Sequence, residues 1–146
     1  MRARATTRTA VVGRGDDTWR QAAEDVLAWR VKTRSGFAVE APGPPVPGQR
    51  LVLVAGALGI RTREPIEVTE VVRQADRVVL GYRTLPGHPV HGAESFVLTR
   101  EGQAVRLTID SRTSPAESGA WRALFPLLLV AQRVVQWRYL RALRQH

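Results

Sequence analysis

The stretch from Val78 to Leu98, VVLGYRTLPGHPVHGAESFVL, admits few folds. Two runs of alternating apolar and polar residues flank a loop rich in proline and glycine, the pattern of two β-strands joined by a turn. On the first run Val78, Leu80 and Tyr82 share a face while Arg77 and Arg83 take the other; on the second, Glu94, Phe96 and Leu98 share a face. The inward side of this hairpin therefore carries a phenol and a carboxylate. Pro86 and Gly87 suit the turn, because proline presets φ and glycine accepts a positive one.

The flanking sequence supplies more strands. Arg50 to Ala57 is a valine- and leucine-rich strand, and after Pro65 the segment Ile66 to Arg73 is another. Ala104 to Arg112 alternates cleanly, with Val105, Leu107, Ile109 and Ser111 on one face. Short strands are also expected at Thr9 to Val12 and Phe37 to Glu40, the latter ahead of the connector APGPPVPGQ, whose four prolines forbid regular structure.

Two segments read as helices. Asp16, Asp17 or Thr18 can cap the first, and Trp19, Ala22, Ala23, Val26 and Trp29 mark its buried face up to a stop near Gly36. The second begins near Ser118, with Trp121, Leu124, Phe125, Leu128, Ala131, Val135, Tyr139 and Ala142 on one broad face and Gln132 among them. Pro126 should kink this helix or mark its true start. Consecutive strands joined by short turns should pair antiparallel, and only the C-terminal helix is long enough to cover the sheet. The class is α+β, with about six or seven strands on one long helix and a tendency to leave a cavity between them.

At 146 residues one core is expected. The sequence divides into a loose basic arm over residues 1–8, carrying Arg2, Arg4 and Arg8 without an acid, and a single domain over residues 9–146. The absence of cysteine excludes disulfides and thiolate chemistry. No apolar run reaches the ~20 residues of a membrane span, and the N-terminus lacks the continuous apolar region of a signal peptide, so a cytoplasmic location is the expectation. A formal charge of +9 arises from 22 basic and 13 acidic residues, among which Lys32 is the only lysine. Most arginines are dispersed, as on a solvated surface.

Four sequence runs resemble a known family in this order: GxGxxxW (Gly13, Gly15, Trp19), a proline-rich run from Pro44 to Gly48, GYxTLPGHPxxGxExF (Gly81 to Phe96) and QxxxxxRYLRAL (Gln132 to Leu143). They resemble an uncharacterised bacterial and plant family of unknown function near the START-like, or SRPBCC, helix-grip superfamily, which includes the birch-pollen allergen type, polyketide cyclases and lipid-transfer domains. The resemblance implies a helix-grip fold with a hydrophobic ligand between sheet and helix. It implies no reaction, because a fold does not fix a function.

Tyr82, Glu94, Ser111 and Gln132 place polar groups on otherwise apolar faces. Buried polar groups need partners, so these four either brace the hairpin against the last helix or orient a ligand in an apolar pocket. Together with His88, Phe96 and Tyr139 they are the candidate ligand-binding residues. The expected ligand is a small apolar or amphipathic molecule. An enzyme acting on such a ligand through Glu94 as general base, with His88 or Tyr82 as acid, is the alternative, although no nucleophile and base pair is visible from spacing. His88, His91 and Glu94 stand three apart, which would converge on a helix, but prolines and glycines exclude a helix there and no metal or other cofactor is assigned.

A third reading uses the basic last helix. Arg122, Arg133, Arg141 and Arg144 project within about 100° with Trp137 and Leu140 among them. That face suits nucleic acid, an anionic surface or a homodimer contact through Trp137; no recognisable nucleic-acid module accompanies it.

Overall fold

The computed structural model describes residues 4–40, 43–57, 60–88, 90–115 and 125–144. Seven strands form one antiparallel sheet: β1 (Arg4–Arg14), β2 (Phe37–Glu40), β3 (Arg50–Ala57), β4 (Ile60–Arg73), β5 (Arg77–Thr84), β6 (Val90–Glu101) and β7 (Ala104–Pro115). Their spatial order is β1-β7-β6-β5-β4-β3-β2, so the meander from β2 to β7 runs between neighbours and β1 closes the far edge beside β7. Helices α1 (Asp16–Leu27) and α2 (Arg30–Thr33) carry the chain from β1 to β2 at opposite edges, and α3 (Phe125–Ala142) covers the inner face.

The hairpin follows its alternation. Val78 stands opposite Leu98, Leu80 opposite Phe96, and Tyr82 opposite Glu94; across the next ladder Glu94 meets Ser111, Phe96 meets Ile109, and Leu98 meets Leu107. This inward set is buried, so a hydrophobic layer spans three strands and ends in polar groups at one extremity. Gly87 has φ 98, the positive value its turn requires. Gly92 is fixed by space: a Cβ there would lie 1.8 Å from the Arg112 carbonyl oxygen. Register shifts in β1 and β4 mark bulges, which bend the sheet around its contents.

Three expectations about elements need correction. β1 starts at Arg4 rather than Thr9, so most of the expected loose arm is paired strand, from Arg4 opposite Thr113 onward. The long edge of β7 supplies backbone partners that need no apolar alternation, and Thr7 Oγ1 and Thr9 Oγ1 bond Asp110 and Thr108 across the pair. β4 starts at Ile60 rather than after Pro65. Pro65 is tolerated because β5 ends at Thr84: its carbonyl accepts from the Leu85 N–H at 3.0 Å, and no strand of the ladder asks for its missing donor.

The first helix does not run to Gly36. It breaks at Trp29, which has φ 63, and α2 restarts at Arg30. A left-handed non-glycine residue costs about 1–2 kcal/mol. Burial of the Trp29 ring against Tyr82, with centroids 5.8 Å apart, offsets it. At the C-terminus the described helix α3 is Phe125–Ala142, with Pro126 at its second position. The expected segment from Ser118 through Leu124, with Trp121 and Arg122, lies outside the described residues, as does the Leu128 side chain. The inner face of α3 also includes Gln136, which is buried and donates to Thr6 Oγ1 at 3.0 Å.

On the outer sheet face Arg50 and Arg83 flank Glu67, and Arg63 binds both oxygens of Glu40. Among the described residues, no helix is long and apolar enough to cross a membrane.

Candidate functional site

A cavity of about 230 Å³ lies between the inner sheet face and α3. Strands β4 to β7 supply Glu64, Tyr82, Glu94 and Ser111; α3 supplies Gln132, Val135 and Tyr139. α2 contributes Lys32, and β2 and β3 contribute Phe37 and Ala55.

The polar groups form one connected cluster. Tyr82 donates its phenol hydrogen to Glu94 Oε1. Ser111 Oγ donates to Glu94 Oε2 at 3.3 Å, and Gln132 Nε2 donates to Ser111 Oγ at 3.0 Å and Thr113 Oγ1 at 2.8 Å. From the other side Lys32 Nζ donates to Tyr139 Oη at 2.5 Å and stands 3.7 Å from Glu94 Oε1. Three rings surround that ammonium, with centroids at 4.0 Å for Phe37, 4.9 Å for Tyr139 and 5.2 Å for Tyr82. A cation enclosed by ring faces is held electrostatically while remaining largely dry.

Burial, reinforced by the Glu94 charge, raises the Tyr82 and Tyr139 phenols well above 10, so both stay protonated at neutral pH. Glu64 lies on the same inner face of β4 as Ile66 and Val68. Its Oε1 is 3.3 Å from His88 Nε2, whereas its Oε2 is buried with no hydrogen-bond partner among the described residues. Burial raises the Glu64 carboxyl above its ordinary 4.5, Lys32 pulls it back and Glu94 pushes it further up.

The pH consequence has a definite sign. As pH rises from 4.5, the unfolded chain releases the Glu64 proton before the folded chain does. Stability therefore falls until the raised folded value is passed. Glu64→Gln should flatten that fall and leave the variant more stable than wild type at neutral pH, read from urea unfolding at a series of pH values. A variant with an unaltered pH profile would assign the burial cost to another group.

Of the residues singled out from sequence, Tyr82, His88, Glu94, Ser111, Gln132 and Tyr139 line one cavity. Phe96 does not. It is fully buried beneath the wall, wedged between Tyr82 and Tyr139, because its cross-strand neighbours Leu80 and Ile109 place it one residue pair deeper in the core. His91 is exposed, so His88, His91 and Glu94 do not converge; among the described residues no group of metal-ligating side chains forms.

Two charged groups close to the Tyr82–Glu94 cluster, Glu64 and Lys32, are not marked by sequence periodicity. Glu64 shares the parity of Ile66 and Val68, but Pro65 reads as a strand boundary in the sequence. Lys32 would fall off the buried face of an uninterrupted helix; the Trp29 break turns it inward. Its singularity among 22 basic residues was the available signal. A wider hollow of about 810 Å³ lies between the α1–α2 bend and Pro44 and Pro45, and no side-chain hydrogen bond links its described lining residues.

The family model described as "Domain of unknown function (DUF1990)" matches residues 2–142. The chain belongs to the DUF1990 family. No curated protein matches it. Among solved structures, this DUF1990 chain is similar to the hypothetical protein jhp0584 from Helicobacter pylori, with TM-score 0.69, 12% identity, and coverage of 96% of this chain and 85% of that one. It is also similar to the Zhui aromatase/cyclase from Streptomyces sp. R1128, with TM-score 0.63, 18% identity and coverage of 97% and 92%. Truncated norcoclaurine synthase from Thalictrum flavum follows at TM-score 0.62 and 10% identity, covering 99% and 95%. At such identities the likeness establishes the helix-grip, START-like fold and no activity.

Proposed function

We propose that this DUF1990 chain binds a compact amphipathic molecule between the sheet and α3. The observation that carries the reading is the buried cluster of Lys32, Tyr82, Glu94 and Tyr139 on one wall of a cavity whose other walls include Phe37, Ala55 and Val135. Few convergent polar groups in an otherwise apolar enclosure are what orients a small ligand. The volume of about 230 Å³ falls below the roughly 300–1,000 Å³ of drug-sized sites, which favours a compact ligand or the head of a longer one. The helix-grip neighbours include a cyclase and a synthase by name, which supports a ligand-sized interior.

An environment-sensitive amphipathic dye titrated against wild type should bind saturably. Glu94→Gln, which removes charge at nearly constant volume, should weaken a competitor with a polar head by about tenfold, the effect of one lost charge-assisted hydrogen bond. Failure of wild type to bind any apolar or amphipathic probe would end the reading.

A second reading rests on the outer face of α3. Leu127, Val130, Val134 and Trp137 are more than half exposed and project within about 80° of one another. Arg141 stacks on Trp137, with the guanidinium carbon 4.1 Å from the ring centroid, and Arg133, Arg138 and Arg144 are exposed nearby. Aliphatic side chains flanked by arginines suit an anionic lipid surface better than nucleic acid, which needs no aliphatic stripe, or a homodimer, which would juxtapose the arginines. Co-sedimentation with phosphatidylglycerol vesicles, lost in Trp137→Ser and weakened by salt, is expected. Equal binding to neutral vesicles, or none, would remove this reading.

A further inference from the structure

We propose that Lys32 is the reactive group of the cavity and takes a compact aldehyde or ketone as a Schiff base. The inference rests on the cavity being a ligand site and adds the chemical class of the ligand. Lys32 is the only lysine among 22 basic residues, every other one being arginine, and it is 4% exposed with its amine on the cavity wall. A guanidinium would carry the same charge into this position but cannot serve as an amine nucleophile. In a chain that meets its other needs for positive charge with arginine, the exception marks the place where amine chemistry differs from charge alone.

The surroundings fit that chemistry. Among the described residues Lys32 Nζ makes one hydrogen bond, to Tyr139, which leaves donor capacity on a residue that lines the cavity. Glu94 Oε1, which accepts from Tyr82, stands 3.7 Å from the amine, and a side-chain adjustment of about 0.5 Å brings the pair to proton-transfer distance. Glu64 lines the same cavity and adds a second carboxyl to its wall. The rings of Phe37, Tyr82 and Tyr139 form a dry collar around the amine.

The step balances as follows. Glu94 takes one proton from the ammonium, and the freed nitrogen lone pair forms a bond to the carbonyl carbon while the C=O π pair moves to oxygen. The oxygen takes a proton from the nitrogen, giving a carbinolamine. The hydroxyl then leaves as water with the proton held by Glu94, the C–O bond breaks and the nitrogen pair closes the C=N bond. Ammonium plus carbonyl yields iminium plus water, with the carboxylate regenerated.

Benzaldehyde followed by sodium borohydride traps such an imine irreversibly, and peptide mapping by mass spectrometry assigns it. The α-amino group is the internal reference. Lys32 should be labelled at least tenfold faster than the α-amine, Glu94→Gln should slow Lys32 labelling at least tenfold without affecting the reference, and Lys32→Arg should show label at the α-amine alone. Lys32 labelling no faster than the α-amine, or unaffected by Glu94→Gln, overturns the proposal. Dye binding separates the two readings: wild type that binds dye but does not label at Lys32 keeps the ligand cavity and loses the Schiff base. Wild type that does neither loses both.

Discussion

Phe96→Ala is expected to lower the unfolding free energy by about 3–5 kcal/mol, the range for a large aromatic removed from a packed core. The ring is fully buried, its centroid 5.4 Å from Tyr139 in an edge-on arrangement and 6.2 Å from Tyr82. It holds the two phenols that flank Lys32 and Glu94, so truncation leaves a hole beneath the site as well as lost contacts. Urea unfolding measures the effect. A loss below about 2 kcal/mol would mean that the ring borders space it does not fill.

Lys32→Met should cost a similar amount, about 3–5 kcal/mol, for a different reason. The volume hardly changes, but the one ammonium beside Glu94 disappears, leaving that carboxylate and Glu64 buried without a cation between them. Removing one partner of a buried pair is worse than removing both, because the survivor keeps its desolvation cost. The double variant Lys32→Met with Glu94→Gln should therefore be more stable than Lys32→Met alone. Urea unfolding of the three proteins gives the coupling as a double-mutant cycle, and additive losses would show that the two groups do not depend on each other.

The polar cluster is also a reason for the helix-grip shape to persist around a cavity. Gln132 ties α3 to β7 through Ser111 and Thr113, Gln136 ties it to β1 through Thr6, and Lys32 ties α2 to α3 through Tyr139. These bonds hold the helix over the sheet at positions where aliphatic packing alone would draw the layers together.

The amino-acid sequence by itself determined the strands with clean alternation, because side-chain parity is a local property. Val78, Leu80 and Tyr82, the Glu94, Phe96 and Leu98 set, and Val105 to Ser111 all face as their period of two requires. Local alternation also brought Tyr82, Glu94 and Ser111 to one end of one face, and helical periodicity put Gln132 and Tyr139 opposite them. What only the tertiary structure decided were the features that depend on neighbours in space. β1 extends to Arg4 because β7 offers it backbone partners, and Pro65 sits inside β4 because β5 ends before its missing N–H is needed. Trp29 adopts a left-handed conformation because Tyr82 receives its ring, and that break turns Lys32 inward. Glu64 and Lys32 were the two charges that sequence periodicity left out, since each owes its place to a local exception, a proline in a strand and a bend in a helix, that distant contacts make favourable.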